Sequence, residues 1–172
     1  MDLKSQIRVI EGFPIEGISF KDITTLLKSG EGLRQSVDQM VEAISHLEFD
    51  YVAGIEARGF VFAVPVAYKM NKGFIPIRKP GKLPGNVLKK EYDLEYGTNT
   101  IEIDADVLKP GDKVLLIDDL LATGGTANAA IELLRETGAE VVGAAFLIEL
   151  EDLKAREIFK DCETISLVTY DH

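Results

Sequence analysis

The string Val114-Leu115-Leu116-Ile117-Asp118-Asp119-Leu120-Leu121-Ala122-Thr123-Gly124-Gly125-Thr126 carries the densest chemistry in the chain. Four apolar residues run into two acids, then into a loop of small residues, then into a helical pattern. A helix N-terminus exposes unpaired N–H groups and a partial positive charge, which suits a phosphate. Gly124 and Gly125 let backbone come close, and Thr123 and Thr126 bring hydroxyls. A Walker A loop is excluded, because no lysine lies between Lys113 and Arg135, and G-x-G-x-x-G is absent. The acids need a partner other than phosphate. An ionised carboxylate only accepts hydrogen bonds, so ribose hydroxyls fit, and a metal ion is the alternative. Side chains alternate across a strand, so while the strand lasts one acid of the two faces the ligand.

A second candidate loop is Glu56-Ala57-Arg58-Gly59, where the guanidinium can fork onto phosphate oxygens. A third is the stretch 78–90, with Arg78, Lys79, Lys82, Lys89 and Lys90 and no acid. In a chain of net charge -10, such a cluster marks a place for an anion. His46, near the end of a predicted helix, suits the dipole there and reads as structural. His172 is expected to be unordered. Cys162 is the one cysteine, which excludes an internal disulfide and gives no metal motif.

The elements that must position these loops follow from periodicity. Apolar runs at 51–55, 74–77, 113–117 and 141–148 alternate with helical patterns at 60–70 and 127–137. Continuous apolar strands alternating with helices imply βαβ units and a parallel sheet buried on both faces. Ligands then bind beyond the carboxyl ends of the strands, where both the 56–59 and 118–126 loops lie. The remainder reads as additions: a helix over 32–47, a mobile loop at 80–86, a hairpin from 91–95 and 100–104, a short helix at 153–159 and a last strand at 165–169. Residues 12–25 are apolar without a clear period.

At 172 residues the chain suits one domain spanning 1–172, with an N-terminal segment of about 1–30 and a core of about 31–172. The acidic balance argues against nucleic acid and anionic membrane as partners. Apolar runs such as 141–148 fall far short of a membrane span of ~20 residues. The start of the chain lacks a signal-peptide core, so a reducing, cytoplasmic setting is expected.

The 114–126 string resembles the phosphoribosyl-pyrophosphate motif of type I phosphoribosyltransferases. Further blocks narrow the resemblance to the adenine phosphoribosyltransferase family: Phe13-Pro14 with Gly17-Ile18-Ser19-Phe20-Lys21-Asp22-Ile23-Thr24, Gly54-Ile55-Glu56-Ala57-Arg58-Gly59-Phe60, Arg78-Lys79-Pro80-Gly81-Lys82-Leu83-Pro84 and Leu94-Glu95-Tyr96-Gly97. The resemblance implies an α/β fold: a central parallel sheet flanked by helices, a small N-terminal hood and a flexible loop or hairpin lid. It implies transfer of phosphoribose from phosphoribosyl pyrophosphate to adenine, giving AMP and pyrophosphate in purine salvage. Ala122, Thr123, Gly124, Gly125 and Thr126 would then hold the 5-phosphate, and Asp118 and Asp119 the ribose. Ala57, Arg58 and Lys82 would hold pyrophosphate. Ser19, Phe20, Lys21 and Leu153 would form the adenine slot. Glu95 would handle the base proton and Tyr96 close the lid. Mg²⁺ would enter with the substrate, bound mainly through phosphoribosyl pyrophosphate and water with no direct protein ligand, and the chain would form a homodimer. The alternatives are another purine as substrate, or a regulator that keeps the site without catalysis.

Overall fold

The computed structural model describes residues 2–94 and 97–172. Its centre is a five-stranded, wholly parallel sheet. Five apolar segments build it: β3 (Tyr51–Ile55), β4 (Gly73–Ile77), β7 (Lys113–Leu121), β8 (Glu140–Leu150) and β9 (Glu163–Tyr170), in the order β4-β3-β7-β8-β9. Its strands are apolar on successive residues because both faces are covered. Val114 and Leu116 pack under α4 (Gly125–Glu136), whereas Leu115 and Ile117 pack against α1 (Thr24–Lys28), α2 (Gly30–Ala43) and α3 (Arg58–Met70). A register shift where Leu115 pairs with Gly143 lets Val141 and Ala144 share the α4 side despite their odd spacing.

Local chemistry sets the helix ends. Ser29 Oγ accepts the Gly32 N–H at 3.0 Å and starts α2. Asn71, at φ +56°, closes α3, and Gly138 does the same after α4 at φ +96°. Helix α2 stops at Ala43, short of the expected 47, and turns through Ser45, whose Oγ donates to the Glu42 carbonyl. His46 therefore lies beyond the helix, and its Nε2 sits 2.6 Å from Glu163 Oε2. His172 is anchored rather than loose, its N–H donating to Asp152 at 2.9 Å.

Two hairpins lie outside the sheet. The N-terminal one pairs β1 (Arg8–Glu11) with β2 (Ser19–Asp22), so part of the segment without a visible period is regular after all. Four-residue strands are too short to show alternation, and cross-strand pairing such as Ile10 with Phe20 decides them. This hood rests on the end of β9. Lys4 Nζ donates to the Thr169 carbonyl at 2.8 Å, and Lys4 and Lys21 lie over the Tyr170 ring. The second hairpin, β5 (Val87–Leu94) with β6 (Gly97–Asp104), is longer than expected and packs on α4. After β8 come two 3₁₀ turns, Glu151–Leu153 and Ala155–Glu157, in place of one short helix. Their break is Lys154, at φ +55°.

Candidate active site

A cleft of about 460 Å³ opens at the carboxyl ends of β3, β4 and β7. Three loops meet there: 56–58 after β3, Arg78 and Lys79 after β4, and 122–124 between β7 and α4. Tyr92, Asn99 and Ile101 of the second hairpin form the outer wall.

Strand β7 runs through both acids to Leu121, four residues further than expected. Both Asp118 and Asp119 line the cleft, against the expectation that one would face away. The start of α3 leans over the strand end, so the cleft wraps around it. Arg58 Nε reaches Asp119 Oδ2 at 2.6 Å. Gly59 lies against Asp118: a Cβ there would stand 2.9 Å from Asp118 Oδ1 and 3.3 Å from the Ile117 carbonyl. Burial, and then the charge of Asp119, push the Asp118 carboxyl well above the usual range. In this arrangement Asp119 already has a cation, and Asp118 is the acid that resists ionisation.

The phosphate-suited end of α4 is built on Gly124, at φ +94°. Its carbonyl accepts the first helical bond, from Asn128 N–H at 2.8 Å, leaving the N–H groups of the first turn without helical partners. The glycine has a further role that spacing did not reveal. A Cβ on Gly124 would meet Ala155 Cβ at 3.0 Å and Ile158 Cδ1 at 3.2 Å, so its bare face looks at the 155–159 wall. A Cβ on Gly125 would have only ordinary contacts, 3.7 to 3.9 Å, with Asp93, Thr123 and Tyr92.

Of the residues singled out in the sequence, Ala57, Arg58, Asp118, Asp119, Ala122, Thr123, Gly124 and Thr126 line the cleft, and Gly125 opens the helix behind them. Lys82 is exposed and outside the lining. Ser19, Phe20, Lys21 and Leu153 are also outside it. In the hood, Phe20 packs edge-on to Phe13 at 5.1 Å, and Lys21 Nζ donates to Ser19 Oγ at 2.8 Å. Glu95 and Tyr96, the expected acid–base and lid residues, lie outside the described residues.

The basic cluster disperses. Lys89 stands 3.8 Å from Glu102, and Lys90 bonds Glu136 at 2.9 Å on α4. Only Arg78 and Lys79 of the five reach the cleft wall. Both are fastened by Glu56, whose Oε1 accepts Lys79 N–H at 2.7 Å and Arg78 Nε at 3.1 Å. The Lys79 N–H bond, together with Arg78, holds the Glu56 carboxyl below its ordinary range. Sequence reasoning missed Glu56 as that anchor. It also missed Tyr92, whose hydroxyl receives bonds from Asn99 at 3.2 Å and from Thr126 at 3.3 Å. No spacing signal links Tyr92 to Thr126, because their contact crosses from the hairpin to α4.

Known proteins share this fold. Residues 21–171 match the family model described as the phosphoribosyl transferase domain. A Clostridium perfringens adenine phosphoribosyltransferase is 59% identical over 171 residues, covering 99% of each chain. The adenine phosphoribosyltransferase structure from Thermoanaerobacter pseudethanolicus superposes with a TM-score of 0.94 at 44% identity, covering 98% of both chains. The Giardia lamblia enzyme, solved with 9-deazaadenine, gives 0.92 at 38% identity over 100% of this chain and 99% of its own. The chain belongs to the phosphoribosyl transferase domain family and, within it, to the adenine phosphoribosyltransferases.

Proposed function

We propose that the chain transfers the phosphoribosyl group of phosphoribosyl pyrophosphate to adenine, releasing AMP and pyrophosphate, and so serves purine salvage. One observation carries this reading. A single cleft joins a phosphate-suited helix start, an acid pair and the Arg58 loop in a chain 59% identical to an adenine phosphoribosyltransferase.

Residues 122–126 hold the 5-phosphate by backbone N–H groups and the two threonine hydroxyls. Arg58 leaves Asp119 for the pyrophosphate oxygens, which frees Asp119 for ribose hydroxyls. Asp118, whose carboxyl burial pushes well above its usual range, stands beside it in the same cleft. The base nitrogen forms its bond to the anomeric carbon as the carbon–pyrophosphate bond breaks, with positive charge on the sugar between the two events. Glu95 takes the base proton, and Tyr96 closes over the reacting atoms. Ala57 and Lys82 complete the pyrophosphate grip when the 80–86 loop folds inward. Ser19, Phe20, Lys21 and Leu153 enclose adenine when the hood closes, and a backbone carbonyl near Ser19 selects the exocyclic amine.

Mg²⁺ fits this site as a companion of the substrate. Among the described residues no three Asp, Glu, His or Cys gather as a metal site. Magnesium keeps its waters readily, so it would be held mainly by phosphoribosyl pyrophosphate and water, with Asp118 and Asp119 reserved for the ribose. When bound, the ion neutralises charge on the departing pyrophosphate.

The family resemblance also supports a homodimer, for which α3 offers exposed Val61, Val64 and Tyr68 at helical spacing. Among the described residues no helix is long and apolar enough to cross a membrane. The single, buried thiol suits a reducing, cytoplasmic setting.

The test is purified protein with phosphoribosyl pyrophosphate and Mg²⁺, offered adenine, hypoxanthine, guanine and xanthine in turn. Adenine is expected to be preferred by on the order of 10⁴-fold, the scale at which a hydrogen-bonding site rejects a mismatched partner. Comparable turnover of hypoxanthine overturns the adenine reading.

A further inference from the structure

Glu149 is a buried acid that the mechanism above does not use. It stands near the carboxyl end of β8, paired with Leu121, the last residue of β7 before the 122–124 loop. Its side chain is 4% exposed and its carboxylate is fully engaged. Arg156 Nε lies 3.0 and 2.9 Å from its two oxygens, Arg156 Nη2 lies 2.7 Å from Oε1, and Ser166 Oγ donates to Oε1 at 2.8 Å. Arg156 also reaches Ser166 Oγ at 3.2 Å. Burial works against the charge, but the bonds from Arg156 and Ser166 outweigh it and hold the carboxyl below its ordinary range. The acid is thus charged and bidentate, the strong form of such a bond.

The partners show what this grip is for. Arg156 belongs to the Ala155–Glu157 turn, and Ser166 to β9. The turn follows Leu153 after the single residue Lys154 and contains Ala155, whose Cβ backs Gly124 at the phosphate-suited loop. The Glu157 and Ile158 N–H groups bond only to Lys154 and Ala155, while the Lys154 N–H bonds Glu151 of the preceding turn, which Asp152 ties to His172. The position of the Ala155–Glu157 turn against the sheet therefore depends on the packing of Ala155 and Phe159 and on the Arg156 fork. We propose that Glu149 is a positioning residue for the reaction: by gripping Arg156 and Ser166 it fixes the turn that adjoins Leu153 through Lys154 on one side and backs Gly124 on the other, and so sets the grip on both substrates while touching neither. This rests on the reading of Leu153 as a wall of the adenine slot and of 122–126 as the phosphate loop.

The experiment measures KM for adenine and for phosphoribosyl pyrophosphate, kcat, and hydrogen exchange of residues 151–159. It compares the full chain with its Glu149→Gln and Arg156→Lys variants. Glu149→Gln keeps the volume and removes the charge. Both KM values are expected to rise about tenfold, the scale of one lost charge-assisted bond, with kcat within about twofold and exchange of 151–159 faster. Arg156→Lys keeps the charge but loses the fork, and is expected to show the same pattern. It also serves if Glu149→Gln does not fold. A role in stability alone would lower the melting temperature and leave both KM values in place, which overturns the proposal. A rise in only one KM overturns the shared positioning. If the unaltered chain makes no AMP, the functional reading itself fails and takes this proposal with it. An active chain with unshifted variants refutes the positioning role alone.

Discussion

Gly124→Ala and Gly125→Ala are neighbouring substitutions for which the structure demands opposite outcomes. At Gly124, φ is +94°, a region that costs an L residue about 1 to 2 kcal/mol. The new methyl would also stand 3.0 Å from Ala155 Cβ, 3.2 Å from Ile158 Cδ1 and 3.4 Å from Phe159 Cε1. Ala155 and Phe159 are buried and cannot swing away, and overpacking of that kind costs about 1 to 3 kcal/mol. The two effects together come to about 2 to 5 kcal/mol, or roughly 5 to 15 °C of melting temperature in a chain of this size. At Gly125 the backbone is helical and the nearest atom to a new Cβ is the Asp93 carbonyl at 3.7 Å. Replacing glycine there is neutral or stabilising by about 0.4 to 1 kcal/mol. Its methyl instead points toward Thr123 and Tyr92, in the approach of the 5-phosphate, and KM for phosphoribosyl pyrophosphate is expected to rise by ~10-fold or more. Thermal unfolding followed by circular dichroism, with steady-state kinetics well below the melting point, reads both effects. A Gly124→Ala protein that melts within a degree or two of the original would show that the 155–159 wall yields, and would refute the packing argument. A Gly125→Ala protein of lowered stability and unchanged KM would refute the assignment of the open side.

Glu95→Gln is expected to slow the chemical step by ~10²-fold in single-turnover kinetics with little change in phosphoribosyl pyrophosphate affinity; an unchanged step removes Glu95 from proton transfer. Arg58→Gln breaks the ion pair with Asp119 and removes a fork for pyrophosphate, so KM for phosphoribosyl pyrophosphate should rise by ~10-fold or more; equal affinity in binding titrations would make Arg58 a partner of Asp119 only. Bonds from the Thr24 side chain and backbone, and from Arg8, lower the Asp22 carboxyl to about 2. Because this folded-state value is depressed, the stability Asp22 contributes is whole above about pH 4 and is lost as pH falls toward 2. The melting difference between the unaltered chain and Asp22→Asn should therefore shrink over that window, and a difference that grows would contradict the hood geometry. Burial pushes the Cys162 thiol up to about 11, so a disulfide reagent at pH 8 should label it far more slowly in the folded than in the unfolded chain; labelling at the free-thiol rate would mean that the 155–162 wall opens readily.

The parts legible from residues alone were those where composition and conformation coincide. The apolar run of β7, its two acids and the small residues after it identify a strand, a ligand edge and a helix start without tertiary information. Asn71 and Gly138 mark helix ends for the same reason, since each occupies a left-handed turn. What escaped depends on contacts distant in the chain. The β1–β2 pairing is decided by cross-strand neighbours, and the Tyr92–Thr126 bond by how the hairpin lies on α4. The lysines of 78–90 look like one patch in the sequence. In the fold, strand alternation sends Lys89 toward Glu102 and Lys90 toward α4. The direction of the bare face of Gly124 is equally invisible to spacing, because the wall it meets begins about thirty residues later.

The seating of the hood on β9 bears on how the molecule is made. Among the described residues, every one lining the cleft lies between Ile55 and Ala127, so the lining is all synthesised once α4 is, ahead of the 155–159 wall that backs Gly124. The hood is made earlier but has nothing to rest on. Its supports are the Thr169 carbonyl and the Tyr170 ring, about 150 residues further along the chain. At about 5 to 20 residues per second, β2 waits roughly 7 to 30 s on the ribosome before β9 exists. The cleft lining is thus made first and the seat of the hood last. In that interval the hairpin lacks the contacts that seat it on β9.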